Sequence, residues 1–532
     1  MRTNITFFLL LALLVSSCAT YNTQVRQYYD NLRQGDFDKA SRALDRNRLL
    51  KKDRNHLLYL LERGKLCYMM QQWDSSNRYF NEADAMMEGA RNSAGDVIAG
   101  TLINPMMKRY RAEDFETYLV HYYKALNYLQ LGNNEDAMVE ARRISLTSDA
   151  QADKSRSSKR YSDDAFANIM QGLIYEAGRD YNNAFISYRN AADIYLAHNG
   201  TYYETQMPLQ LQKDLLKTAH IMGFYDEEER YTRLFGGQPS DAGRTSRTVV
   251  GSAATSDGST AVSGGSTAAS RSSAISSTGS LTGEGSKAPG GELVLFWENG
   301  SAPVKVQEDL FFAAVKGAGG AVLFSDGTGR YNNIPFVGRY DGNTDITDLR
   351  SLRVAIPRYE AQPLRYTSAL LRSGNNSYPM EEADNINALA FATLRERMVK
   401  ELATTLTRLA VKKLAEAAVR GGKSSDDANK TAEEKKKAKK EENTREALAL
   451  GLQLINFATE KADTRNWQSL PHSIYYVRIP LNAGVNNLTV ELSGDRSASI
   501  PLQVYGNGQL QIRSISTLGA ATVAQSASQK AF

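Results

Sequence analysis

Two cysteines and five histidines are all that this 532-residue chain offers for thiol, imidazole or soft-metal chemistry. His56, His121, His198, His220 and His472 are scattered, and no His-x-x-x-His pair sets two imidazoles on one helix face. A zinc hydrolase is therefore not expected. The chain has no Gly-x-Ser-x-Gly elbow and no Ser-x-x-Lys pair, which removes the usual activated serine nucleophiles. "KGAGGAVLF" at 316–324 is Gly-rich, but it precedes an apolar run and lacks the phosphate-binding lysine, so it reads as a turn. In "DGNTDITD", Asp341, Asn343 and Asp345 alternate as in a calcium loop, yet Ile346 and Leu352 stand where Gly and Glu are required. Cys67 has aromatic and methionine neighbours and no histidine nearby, which describes a buried structural thiol. No catalytic residue, cofactor site or metal site is expected, and no enzymatic activity.

The other thiol has a clearer task. Ile5 to Val15 is apolar apart from Thr6, a length suited to a signal-peptide core and too short for the roughly 20 residues that span a bilayer. Val15-Ser16-Ser17-Cys18 then resembles the bacterial lipobox, in which the cysteine thiol is acylated and the chain is cut just before it. The resemblance implies lipidation at Cys18 and a mature chain outside the cytoplasm, held by more than one acyl chain. Ala19 and Thr20 lack the aspartate that marks inner-membrane retention and the acidic run that marks surface export. The expected address is the outer membrane, facing the periplasm.

Composition agrees with a folded multi-domain chain: 42% hydrophobic and 23% charged residues, and 64 basic against 59 acidic side chains. A net charge of +5 does not describe a nucleic-acid binder. With Cys18 acylated, Cys67 has no disulfide partner.

Before residue 236 the chain is self-similar. In "GLIYEAGRDYNNAFISYRNAADIYL", Gly172, Tyr175, Ala184, Tyr188 and Ala191 follow the small–aromatic spacing of tetratricopeptide helix pairs. The frame recurs at Gly64, Ser76, Phe80 and Ala83, more loosely at Ala125, Tyr128, Ala137 and Ala141, and in part at Phe37, Ala40 and Leu44. Interhelix turns are expected at Gly35-Asp36-Phe37, Gln72-Trp73-Asp74, Gly132-Asn133-Asn134 and Arg179-Asp180-Tyr181, and a capping pair from Leu209 to Leu234. Such arrays present a concave surface that binds peptides or partner proteins.

The expected organisation is multi-domain: a signal peptide (1–17), an all-α tetratricopeptide-like solenoid (18–236), a Ser/Gly-rich flexible linker (237–290), an α+β domain (291–515) and a flexible tail (516–532). The linker lacks the apolar surface that offsets ordering entropy, so it should separate two independent bodies. Within the α+β domain, β-rich segments flank a long helical hairpin (383–462), whose tip at 421–446 is charged and solvated.

"KADTRNWQSLPHSIYYVRIPLNAG" (461–484), "LRVAIPRY" (352–359) and "EEADNINALAF" (381–391), together with the lipobox, resemble an uncharacterised family of bacterial outer-membrane lipoproteins with tetratricopeptide-like N-terminal halves. The resemblance implies the architecture and the envelope address, and it carries no catalytic residue across. The expected function is a lipid-anchored periplasmic scaffold that binds protein partners in envelope assembly, secretion or peptidoglycan maintenance. Its expected partners are proteins and, through the acylated N-terminus, the membrane; no nucleic acid and no small-molecule substrate are indicated. The alternative is a glycan-binding lipoprotein of the SusD-like class, for which Trp73, Trp297 and Trp467 are the only indoles available for sugar stacking.

Overall fold

A computed structural model describes residues 21–91, 106, 108–154, 164–236, 290–316, 322–336, 352–420, 461–518 and 521–523. Among the described residues, ten α-helices fill the N-terminal half as five pairs. They are α1 (Tyr21–Arg33) with α2 (Phe37–Arg46), α3 (His56–Met69) with α4 (Trp73–Arg91), and α5 (Asp114–Gln130) with α6 (Asn134–Lys154). Then come α7 (Ala165–Ala177) with α8 (Tyr181–Ala197), and α9 (Leu209–Met222) with α10 (Tyr225–Gly236). A short hairpin, β1 (Thr201–Tyr202) and β2 (Thr205–Gln206), stands between α8 and α9.

One turn is used five times. In each pair the residue two places before the second helix is left-handed: Gly35, Gln71, Gly132, Arg179 and Gly223, at φ between 59° and 76°. The next backbone N–H then reaches back five residues, from Asp36 to Asn31, Gln72 to Cys67, Asn133 to Tyr128, Asp180 to Tyr175 and Phe224 to Ala219. This is the Schellman closure, which satisfies carbonyls the first helix leaves open. Side-chain oxygens of Asp36, Asn133 and Asp180 then cap the second helix by accepting from the N–H three residues on. Where the two helices of a pair cross, the small residues of the repeat frame meet its aromatics. A Cβ at Gly172 would lie 2.4 Å from the Tyr188 ring, and one at Gly64 2.7 Å from Phe80.

The C-terminal half is sheet-rich. Its centre is β3 (Gly291–Asn299), buried at every position except the half-buried Glu292. It pairs antiparallel with β11 (Ser473–Pro480) and parallel with β14 (Gln509–Leu518). With β10 (Glu381–Asp384) and β15 (Ala521–Val523) the order is β10-β11-β3-β14-β15. A strand buried on both faces needs a continuous apolar run, and "LVLFW" at 293–297 supplies it. Leu293, Leu295 and Trp297 face a second sheet of β8 (Tyr366–Ser373), β9 (Asn376–Pro379), β12 (Gly484–Gly494) and β13 (Ala498–Gly506). Val294 and Phe296 face the helices, where the Phe296 ring lies 5.9 Å from Tyr122 and 6.0 Å from Phe166. A third sheet joins β4 (Val304–Lys316), β5 (Val322–Ser325), β6 (Ile334–Pro335) and β7 (Leu352–Glu360), and α11 (Ile386–Arg420) packs against it.

Three expectations change. The two halves are not independent bodies: one apolar core runs from Tyr28 and Leu61 through Tyr123 to Phe296, Tyr476 and Trp467. The boundary at 515 also falls inside a strand, since β14 continues to Leu518 and Ala521–Val523 folds back on it, so the expected tail begins with paired structure. Of the helical hairpin, Ile386–Arg420 is one long helix preceded by the strand β10, while 421–460, including the charged tip 421–446, lies outside the described residues. No helix among the described residues is long and apolar enough to cross a membrane.

The crossing geometry makes a stability prediction. Gly172→Ala should destabilise the chain by about 1–3 kcal/mol through overpacking against Tyr188. Gly89→Ala, on α4 with open space around it, should be neutral or slightly stabilising. Denaturant unfolding of the two variants checks the pair.

Candidate functional site

The face that a helix-pair array would offer to a partner is lined by its first helices, α1, α3, α5, α7 and α9. In this chain that face is already filled. The segment 462–470 and strands β3, β11 and β14 lie across it, and each first helix supplies polar side chains to them.

Along α1 and α3, Glu62 accepts from Tyr28 Oη at 3.0 Å, Tyr29 Oη at 2.6 Å and the Gln468 backbone N–H at 3.1 Å. Burial pushes its carboxyl up to about 7 against the pull of those donors. Asn22 Oδ1 accepts from Gln468 Nε2 at 3.1 Å. Arg465, whose side chain is wholly buried, donates from Nη1 to Asn55 Oδ1 at 2.7 Å and to the carbonyls of Arg54 and Lys108. The Trp467 backbone N–H donates to Glu116 Oε1 at 3.0 Å, and its ring sits 5.8 Å from Phe80 and 5.9 Å from Tyr123. An extended segment with no sheet partner must have its backbone donors satisfied from outside, and the helices do this with Glu62 and Glu116.

Ion pairs close the rest of the face. Lys65 Nζ donates to Glu298 on β3 at 2.5 Å and to Tyr123 Oη at 2.8 Å, and it stands 4.0 Å from the centre of the Tyr123 ring. Its burial lowers the ammonium pKa, and Glu298 opposes that shift. At the start of α5, Glu113 accepts from Lys305 Nζ of β4 at 2.5 Å and from Arg397 of α11 at 2.7 Å. Burial would raise that carboxyl; the two cations outweigh it and hold it far below the usual range. At the other end Arg478 of β11 donates to Glu176 at 2.6 and 2.8 Å, Asp214 at 3.0 Å and Glu292 at 2.5 Å, and Lys217 joins Glu176 at 3.1 Å. Burial alone would raise Glu176, but Arg478 and Lys217 bring it down to about 2. Burial pushes its neighbour Asp214 up to about 6, although Arg478 favours the charged form.

A second cluster lies between helices. Asp84, His121 and Glu140, from α4, α5 and α6, place one ligand atom each within 4.8 Å of one another. The spacing of these residues carried no signal, because three separate helices supply them. Lys124 Nζ stands among them, 2.9 Å from Asp84 and 3.0 Å from Glu140, and Arg143 reaches Asp84 at 2.5 Å. The ammonium takes the position a metal ion would need, so these residues fit an internal ion-pair knot and do not fit a metal centre.

Cys18 lies outside the described residues, as do Asp341, Asn343 and Asp345 and Gly317, Gly319 and Gly320 of the Gly-rich stretch. Cys67 is buried, and burial raises its thiol pKa, which suits packing and not attack. Of the indoles that glycan stacking would need, Trp297 and Trp467 are fully buried, donating to Thr517 and Ser469. Trp73 is half-buried, 5.6 Å from the Tyr68 ring.

No protein-family model and no curated protein sequence matches this chain. Among solved structures, the apo form of RapI is similar at 13% identity and a TM-score of 0.29, over 43% of this chain and 58% of that one. A Rap protein complexed with competence and sporulation factor is similar at 15% identity and a TM-score of 0.25, over 41% of this chain and 54% of that one. The chain thus spans a little over half the length of each.

Removing the guanidinium from the α7–α9–β11 cluster tests how the halves are joined. Arg478→Met should cost about 3–5 kcal/mol at neutral pH, because Glu176, Asp214 and Glu292 lose their shared cation. Glu176 titrates at about 2 when folded, against 4.5 ordinarily, so its contribution is complete above 4.5 and is lost as pH falls toward 2. The gap between wild type and variant should therefore narrow over that acid interval in denaturant titrations.

Proposed function

We propose that this protein is a lipid-anchored scaffold of the bacterial cell envelope, tethered through Cys18 at the outer membrane and facing the periplasm, that binds partner proteins. We read its helix pairs as tetratricopeptide-like. One observation carries the reading: the inner face of the array is closed by the chain's own β11–β3–β14 and segment 462–470. That closure turns two halves into a single body, and it leaves partners the outward surfaces. It also revises the expectation that the concave face grips a partner.

The outward surfaces carry apolar groups suited to protein contact. On α6, Val139 and Leu146 are exposed one heptad apart. On the outer face of the β13–β12–β8–β9 sheet, Val485 and Tyr505 sit directly opposite each other, 59% and 66% exposed. Cross-strand apolar pairs in water are poor for a free surface and good for a covered one. The buried indoles count against glycan capture.

Two measurements test the proposal. In cells fed a labelled fatty acid, the wild-type chain should carry label and pellet with membranes, and full-length Cys18→Ser should lose both. A photo-crosslinker placed at Tyr505 or Val139 should trap discrete protein partners from intact envelopes, while one at the buried Tyr123 should trap none. A labelled chain with no trapped protein from either outward face overturns the scaffold reading.

A further inference from the structure

We propose that the end of the array nearest the N-terminus is a membrane-docking face, whose exposed Arg42, Arg46, Arg48, Lys51 and Lys52 bind the headgroups of anionic phospholipids. The inference rests on lipidation at Cys18 and adds to it which face of the body meets the bilayer.

Three observations converge on that end. Helices α1 and α2 are antiparallel, so the close of α2 and the turn after it return to the start of α1. Asn47 Nδ2 donates to the Gln24 carbonyl at 3.0 Å, which fixes the return within the first turn of α1. Tyr21, where α1 begins, is three residues from Cys18, a reach of at most about 11 Å. The basic groups are thus held beside the first turn of α1, which begins three residues after Cys18.

Charge balance is the second observation. Arg42, Arg46, Arg48, Lys51 and Lys52 are all exposed, and none forms an ion pair among the described residues. The nearby carboxylates are committed elsewhere, Asp45 to Arg63 and Asp53 to Arg109. Third, the next loop adds to the same sign. The Tyr110 N–H donates to the Arg54 carbonyl at 2.7 Å, which sets exposed Lys108 beside the 51–54 turn, where Arg109 is the partner of Asp53.

A chain with a net charge of only +5 has no overall reason to concentrate unpaired cations beside its anchor. An anionic bilayer supplies one, since each basic residue near such a surface contributes about fivefold in partitioning. Anchoring alone leaves the body free to swing; a charged face against the headgroups would hold it in one orientation, the five Schellman turns pointing away from the membrane.

The test uses full-length Cys18→Ser, so that no acyl chain contributes, and vesicles of phosphatidylcholine with and without phosphatidylglycerol. Co-sedimentation should require phosphatidylglycerol. It should also fade between about 0.1 and about 1 M salt, as the screening length drops from about 10 to about 3 Å. Adding Arg46→Glu, Lys51→Glu and Lys52→Glu should weaken binding by about a hundredfold or more. The same number of reversals on the last helix pair, at Lys213, Arg230 and Arg233, should leave it within about twofold. Equal binding to neutral vesicles, no binding, or equal loss from both sets of reversals overturns the inference. Fatty-acid labelling of wild-type Cys18 is scored separately: label without vesicle binding overturns the docking face alone, and vesicle binding without label overturns the anchor alone.

Discussion

Everything in this structure depends on buried polar and charged groups of the helical half that find part of their partners in the sheet half. Glu62, Lys65, Glu113, Glu116, Glu176 and Asp214 stand on the first helices of the pairs, on a face where an open array would leave them in water. Here they are dry, and their partners are Gln468, Glu298, Lys305, Arg397, Trp467 and Arg478. Buried pairs of this kind add little net stability over apolar replacements, yet breaking one is costly because the survivor stays buried and unpaired. Their effect is to set register. The apolar core supplies the driving force, and the ion pairs allow only one way for sheet and helices to meet.

That constraint explains why parts of the fold could be read from the chain and others could not. Turns are local events. Gly35, Gly132 and the Asp36 and Asp180 caps announce themselves within a few residues, and the frame of Gly64, Phe80, Gly172 and Tyr188 places helix crossings without any tertiary knowledge. Gln71 and Arg179 adopt the same left-handed turn with residues that do not advertise it. The apolar run of β3 was legible as strand, and its being unbroken is what burial on both faces requires. Lys65 was not legible. In "ERGKLCY" it reads as an ordinary solvent-facing lysine, because its partner Glu298 lies 233 residues away across a linker that carries no pattern. Arg465 and Trp467 belonged to the stretch that first suggested a family, but nothing local says that this stretch lies across the first helices. The same holds for the Asp84–His121–Glu140–Lys124 knot, whose members come from three helices.

Expectation and structure differ most over the long Ser/Gly-rich segment. Low complexity between two patterned regions argues for two bodies, and for many chains that inference holds. It fails here because the composition of a connecting segment says nothing about whether its ends are complete on their own. The helical half without β3, β11 and the 462–470 segment would expose Phe296's neighbours Tyr122 and Phe166 and leave Glu62 and Glu116 facing solvent. The sheet half without the helices would expose Val294, Phe296, Ile474 and Tyr476 along one side. The cost of closing a long loop grows only logarithmically with its length, so a segment of some fifty residues weakens this union by little compared with the core it joins.

A filled inner face also narrows what kind of binding is physically open to the molecule. To use that face, a partner peptide would have to displace Trp467 from Phe80 and Tyr123 and Arg465 from Asn55 and the carbonyls of Arg54 and Lys108, and then match every donor that Glu62 and Glu116 now satisfy. Few short segments can meet all of those demands together, so recognition through the inner face would be both weak and demanding. Among the described residues, the outer helices, the outer face of the β13–β12–β8–β9 sheet and the basic end carry no such prior occupant. Selection for binding can act on those surfaces without disturbing the register of the core, because their side chains are not shared between the two halves.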